Sequence, residues 1–588
     1  MTLQISNEKL KHLLVGSIFI VFFLYFSVFK RFHILFLEQN QLFQYNFDFL
    51  NEIFAFPGSV SSYIGRFFTQ FFISSLVGAL VFTLAAFAVF ILTKYIYNKY
   101  NINSIILSIV PVWLLAILLS NGSFTFAQVI GFLFSLSFFS LYISIDTSKL
   151  RNIFYFVGWP LLFLVAGRYS FPIIFLCAFH ELFYREKKNR VVIFVLYIVL
   201  GALTSYVLTE HIFYIPSNES FAYPFLSNLN SFSRHALALL LYWFPLLILV
   251  KFFLNKYIPI KKRLLPWNLT NILACTIIFM LMGFVVFRLS YNRRLEIMKG
   301  MDHYVQKADW EKVLKLSDTY PDYNTLAIYY TNLALYKTGR LTDRMFRYPQ
   351  IGTDGLSLSW GKNSHIFYGS EVSYYLSNTN EAYRWSFEAM VQKGLNPRSL
   401  KRLVLTSIIN GDNAIAEKFI NQLNQTLFYR RWAQHSKEFL DNPALAEKDT
   451  EISQSRDLLV NSDFFAMSNG INLIELLNNH PENKMAYEYL MASLLLEKNI
   501  DEFGIYILKM KDYGYTRIPV HFEEALIVFN SSKKMNLMPE GFSFNQETIR
   551  RYNDFAATYS MYKNNPDAAA KALKKRYGGS YWFYLYFS

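Results

Sequence analysis

Between Lys30 and Phe72 the chain reads KRFHILFLEQNQLFQYNFDFLNEIFAFPGSVSSYIGRFFTQFF, a polar and aromatic loop that carries Glu38, Asp48 and Glu52 between two apolar runs. Glu38 follows the end of the first apolar run closely, so a carboxylate there can accept a proton from a hydroxyl at a bilayer surface. Asp48 and Glu52 are four residues apart and share a face if the segment is helical, where they can act as base or hold a divalent metal. Arg66, at the start of the next run, and Arg168, between two short runs, offer the guanidinium fork that matches a phosphate. Glu210 and His211 end a later run on the same side and are the further candidates for a metal site. Together these groups have the parts of an inverting transfer from a lipid phosphate to a hydroxyl: a base for the acceptor proton and cations for the leaving phosphate. Each also has a plain alternative, with carboxylates facing water on an interfacial helix and arginines anchoring span ends. There is no phosphate-binding G-x-x-x-x-G-K-[ST] loop, no H-E-x-x-H, no G-x-S-x-G and no dinucleotide fingerprint, which argues against ATP-driven transport, zinc proteolysis and hydrolase chemistry of those kinds.

The elements that must position these groups are membrane spans. Of 588 residues 53% are hydrophobic and 19% aromatic, and the apolar excess lies before about Leu289 while charges gather after it. The pattern predicts nine spans: Leu13–Phe29, Phe67–Tyr97, Ile102–Leu119, Phe124–Ile145, Ile153–Ala166, Tyr169–Tyr184, Val191–Leu208, Ala236–Leu254 and Leu269–Leu289. The fifth and sixth are short, with Gly167 and Arg168 at their apex, and read equally as a thinned or re-entrant pair. No small-residue cleavage site follows the first run, so it is expected to be retained as a span. Lys and Arg gather in alternate loops, at Lys9 and Lys11, Lys94 and Lys99, Lys149 and Arg151, Arg185 to Arg190, and Lys251 to Arg263. That places the N-terminus in the cytoplasm and loop 30–66 outside, and an odd number of spans puts the C-terminal region outside as well. The formal charge of +15 is read through these topology signals, and nucleic acid is not the expected partner. Cys177 and Cys275 both fall in apolar runs, which leaves no disulfide framework and no cysteine zinc site.

Residues 1–290 thus form an expected transmembrane domain, and 291–588 a soluble helical domain. In the latter, ADWEKVLKLSDTYPDYNTLAIYYTNLALYKTGRLTDRMF reads as a helix pair. Trp310 and Leu314 lie on the first helix, Ala327 and Ala334 where the helices approach, and Gly339 at the turn. Similar pairs follow around Gly394 to Pro397 and Asn410 to Asp412, and around Pro481, Ala486, Ala492 and Phe503. Such pairs are expected to stack into a right-handed, tetratricopeptide-like solenoid, with an unrelated all-α domain as the alternative. Pro349 to Asn363 breaks the pattern as a surface loop. The aromatic end, Tyr581 to Phe587, is expected to dock on the domain or the membrane.

FLEQNQLF, then PGSVSSYIGRFFTQFF, the following spans, and EAYRWSFEAMVQKGLNPRSLKRL leading to NQTLFYRRWA resemble an uncharacterised family of multi-pass bacterial envelope proteins with a tetratricopeptide-like C-terminal part. That resemblance covers most of the chain and implies a fold and an inner-membrane location. The layout is also similar to membrane glycosyltransferases of the GT-C type, which use polyprenyl-phosphate sugars. The adjacent acidic pair of many such enzymes is absent here, Glu38 being followed by Gln39. The resemblance implies a polyprenyl-phosphate-linked sugar as substrate, Glu38 or Asp48 as base, and Arg66 and Arg168 at the lipid phosphate. Two functions stay open: a lipid-linked glycosyl or related transferase at the outer face, and a non-catalytic envelope scaffold that binds proteins through its repeats.

Overall fold

The computed structural model describes residues 7–102, 104–184, 189–213, 229–257, 269–360, 365–460, 472–562 and 565–588. Among them the regular structure is helical, with no β-strand and one isolated bridge between Ile351 and Thr353. The chain divides into two compact units, Met1–Asn292 and Arg293–Ser588.

The first unit opens with α1 (Asn7–Leu24), continued by a π-helical turn to Phe29. Three short helices follow, α2 (Arg31–Gln39), α3 (Phe47–Phe54) and α4 (Ser59–Thr69). The longer ones are α5 (Ser75–Lys99), α6 (Ile105–Leu119), α7 (Phe126–Tyr142), α8 (Ser148–Ala166), α9 (Phe171–Tyr184), α10 (Arg190–Val207), α11 (Ser231–Tyr257) and α12 (Leu269–Ser290). α1 and α5 run in opposite directions, since Phe26 meets Phe82 while Phe19 meets Phe90, and α8 and α10, on either side of α9 in the chain, run in the same direction, Tyr155 and Trp159 donating to the carbonyls of Tyr197 and Gly201. Polar contacts therefore gather at two rims. At one, Tyr25 Oη lies 3.1 Å from Ser120 Oγ and 2.7 Å from Ser290 Oγ, and Asn121 donates to Ser233 at 3.0 Å. At the other, Tyr95 meets Ser144, Tyr100 meets His180 at 2.7 Å, and Tyr184 donates to the Ile248 carbonyl at 2.9 Å. The end of α12 thus shares a rim with the start of the α2–α4 loop.

Among the described residues five helical stretches are long and apolar enough to cross a membrane, His12–Phe29, Ser75–Lys99, Ser148–Tyr184, Arg190–Ile212 and Ser231–Leu254, or six if Ala274–Ser290 is counted with the helix after it. Nine were expected from the apolar runs. Two of those runs, α6 and α7, are helices of only 15 and 17 residues. Two more, α8 and α9, form one unbroken helical stretch through the 3-10 turn Gly167–Ser170. That stretch nevertheless folds back on itself, because Arg151 in its first turn is ion-paired with Glu181 near its end. Gly167 makes the reversal at φ +56°, a conformation open to glycine and costly for a residue with a Cβ. Arg185, Lys187, Lys188 and Lys261 to Arg263, part of the orientation reading, lie outside the described residues.

The second unit contains the expected helix pairs. Trp310–Thr319 packs on Thr325–Lys337, with Leu314 and Ala334 buried and Gly339 turning the chain at φ +66°. Thr379–Lys393, Pro397–Asn410 and Asn413–Asn424 follow one another in the same way. A string of nearest-neighbour repeats would keep its contacts local. Here one core joins residues 301–346 to 476–526 and Tyr581, and Asn483 donates to the Leu376 carbonyl at 3.0 Å. The array therefore closes on itself, and the aromatic end docks inside it, with Tyr581 and Trp582 fully buried and Trp582 Nε1 donating to the Glu524 carbonyl. The interrupting loop is held by Trp360, which stacks on Trp385 at 3.8 Å and donates to Glu381; its last residues, from 361, fall outside the described ones.

Candidate functional site

The loop rim is built from α3 and α4 upward. Asn46 caps α3, its side chain accepting from the Phe49 amide at 2.6 Å, and the helix buries Phe49 and Ile53 against Phe43, Tyr63 and Phe67. The opposite face carries Asp48 and Glu52, both exposed, so the two carboxylates do share a face and it looks outward. Arg66 on α4 is half-buried, its guanidinium 5.7 Å from the centre of the Phe49 ring.

α4 runs down the side of α7. Phe68 meets Phe126, Gly65 lies against Ala127 with no room for a Cβ, and Ser61 reaches the level of Gly131. The tip of the α8–α9 hairpin comes up to the same place: Gly58 N donates to the Leu164 carbonyl at 2.8 Å and Ser61 Oγ to that of Val165 at 2.6 Å. Tyr169 locks the tip, its hydroxyl donating to Gln128 at 2.6 Å while its carbonyl accepts from Ser135 at 2.8 Å. Five residues of α7 separate Phe126 from Gly131, so at 1.5 Å per residue the tip stops roughly 8 Å below the N-terminal end of α7. The hairpin is thus truncated, and α4 re-enters the bundle to cover it. Arg168, half-buried at this tip, lies 5.6 Å from the Tyr169 ring centre. Irregular backbone at such depth is tolerated where protein buries it or a polar cavity meets it.

The other candidates are placed differently. Glu38 on α2 is 3% exposed and accepts from Gln39 Nε2 at 2.5 Å; the same helix anchors through His33, which donates to the Leu119 carbonyl at 2.8 Å. Glu210 and His211 lie in the π-helical turn Leu208–Ile212 that follows α10; one carboxylate oxygen of Glu210 is buried with no hydrogen-bond partner among the described residues, and His211 is exposed. Among the described residues no three His, Cys, Asp or Glu side chains come together as a metal site.

A family model described as "Family of unknown function (DUF6057)" matches residues 7–588. The chain belongs to this family. No curated protein and no solved structure matches it. The chemistry of this DUF6057 chain is therefore read from its own residues, and one group has no counterpart among the residues singled out from the sequence. Arg151, counted there as a loop cation, is fully buried, and Glu181 in the run FLCAFHELFY is 1% exposed. Glu181 Oε1 accepts from Arg151 Nε and from Tyr142 Oη at 2.9 Å, while its other oxygen has no partner among the described residues. The signal was present: an adjacent His-Glu pair inside an apolar run is expensive without partners.

Proposed function

We propose that this protein is a polytopic inner-membrane transferase that moves a sugar or related group from a polyprenyl phosphate to a hydroxyl acceptor at the outer face. The observation that carries the reading is the truncated hairpin, which places Arg168 below the outer end of α7, with Arg66 on the covering helix α4 about 10 Å along that helix from its contact with the tip. A lipid phosphate entering at this end would meet the Arg66 guanidinium first and that of Arg168 deeper, and the isoprenoid tail would stay in the bilayer. In the transfer the acceptor oxygen bonds to the sugar carbon as the bond to phosphate breaks. The proton passes to Glu38, whose burial keeps it from bulk water, and the phosphate leaves on the arginines. Asp48 is the alternative base. Nine crossings complete the topology: the six candidate stretches, the two shorter helices and the second arm of the hairpin. The shared rim of Tyr25, Ser120 and Ser290 supports an external start for the second unit.

Purified protein in nanodiscs, analysed by native mass spectrometry, tests this reading. Polyprenyl phosphate should be retained over the matching polyprenol, and Arg168→Ala should remove that preference. Equal retention of the two lipids would end the proposal.

A second reading, an envelope scaffold that binds partners through its helices, is favoured by Phe387 and Val391, 40% and 65% exposed on one face of Thr379–Lys393. The two readings separate on whether Arg168 or this face is needed for function.

A further inference from the structure

The second unit holds a cleft of about 500 Å³ between the end of Thr325–Lys337, the start of Lys484–Leu496 and the segment before Val520. This is within the size range of small-molecule sites, roughly 300–1,000 Å³. Its charges divide unequally. Asp343 is fully engaged, both oxygens accepting from Arg517 at 3.1 and 2.6 Å and one also from the Val520 amide at 2.7 Å. Burial would raise its pKa, and the hydrogen bonds from Arg517 and Val520 outweigh that, so it stays ionised and cancels Arg517. Two further lysines line the cleft: Lys484 Nζ lies 4.9 Å from the ring centre of Tyr515, itself a lining residue, and Lys337 Nζ 3.8 Å from that of Tyr375, with burial lowering the Lys337 pKa to about 8. Among the described residues neither has a carboxylate within ion-pairing distance. The remaining acid, Glu488, is buried, and burial pushes its carboxyl above the usual range; even fully ionised it offsets only one of the two lysines. The surplus is positive. The walls also include Tyr336 and Tyr515, aromatic side chains of the kind that contact the C–H face of a sugar.

We infer that this cleft binds a sugar-sized ligand carrying one anionic group, a carboxylate or a phosphate, which Lys337 and Lys484 hold while a tyrosine ring carries the sugar face. The site is independent of the transferase reading and survives its failure. It is tested by saturation-transfer NMR on the full-length protein in nanodiscs with glucuronate, glucose 6-phosphate, neutral glucose and inorganic phosphate. Either charged sugar should bind saturably, neutral glucose and inorganic phosphate should bind much more weakly, and which charged sugar binds identifies the anion. Lys484→Gln and Lys337→Gln should each weaken binding by about tenfold or more, the worth of a charge-assisted hydrogen bond. Glucose binding as well as the charged sugars, phosphate binding as well as glucose 6-phosphate, absence of saturable binding, or wild-type affinity in both variants would overturn the assignment.

Discussion

Arg151 donates from Nε to Glu181, joining the first turn of α8 to the last turn of α9 across 30 residues of chain. This pair closes the base of the hairpin whose tip presents Arg168. Both side chains are buried, so each charge depends on the other. Arg151→Met or Glu181→Leu alone should each lower stability by about 3–5 kcal/mol, because one charge is left buried and unpaired; the double variant should lose much less. Thermal unfolding in detergent measures this, and a double variant as unstable as the worse single one would contradict it.

Gly65 lies so close to α7 that a Cβ would fall 2.3 Å from Ala127 Cα. Gly65→Val should therefore lift α4 away and uncover the hairpin tip. With Cys177 and Cys275 replaced by alanine, a Ser61→Cys probe should be protected from a water-soluble thiol reagent in the parent and labelled readily in the Gly65→Val background. Equal labelling in the two would show that α4 does not cover the tip.

Much of this was legible in the sequence because apolar runs and turn residues report local structure directly. The change of regime near Leu289, the reversal at Gly167 and the outward face shared by Asp48 and Glu52 all follow from spacing over a few residues. What escaped depends on partners distant in the chain. Arg151 looks like a loop cation until Glu181 is brought beside it, and the depth of the hairpin tip is set by α4 and α7. Glu38 is buried on α2, a helix that packs against α5, with Ile34 at Gly78, and against the turn Gln70–Ile73. The helix pairs of the second unit were readable from Ala334, Gly339 and Ala486, but their closure onto residues 476–526 is a long-range event without a local signature.

Acid should loosen the second unit through Glu371. Burial alone would raise its carboxyl pKa, but Arg402 and Arg398 outweigh that and hold it below the usual range. Its folded value is therefore lower than its unfolded one, so its stabilisation is complete above the unfolded carboxylate range and is lost as pH falls through the folded value. A chain beginning at Arg293 should unfold cooperatively as a helical protein and lose stability below about pH 4.5. Glu371→Gln should be less stable at neutral pH with a flatter acid branch, as followed by circular dichroism. An unchanged acid slope would remove Glu371 from this role.

Topology is open to a simple check. A reporter active only outside the cytoplasm should be active when fused after residue 300 and inactive after Lys188, since basic loops alternate along the spans. An inactive fusion after residue 300 would reverse the placement of the second unit.

The central claim is that the α2–α4 loop is catalytic, and Glu38→Gln tests it most directly. The substitution preserves size and hydrogen-bonding shape but removes the proton acceptor. In a strain lacking the native protein, the measurement is the surface glycan profile with wild type or Glu38→Gln supplied at equal membrane levels. A catalytic Glu38 predicts that wild type restores the profile and Glu38→Gln does not. Full restoration by Glu38→Gln would contradict the assignment of Glu38 as the base and leave Asp48→Asn as the same test of the alternative.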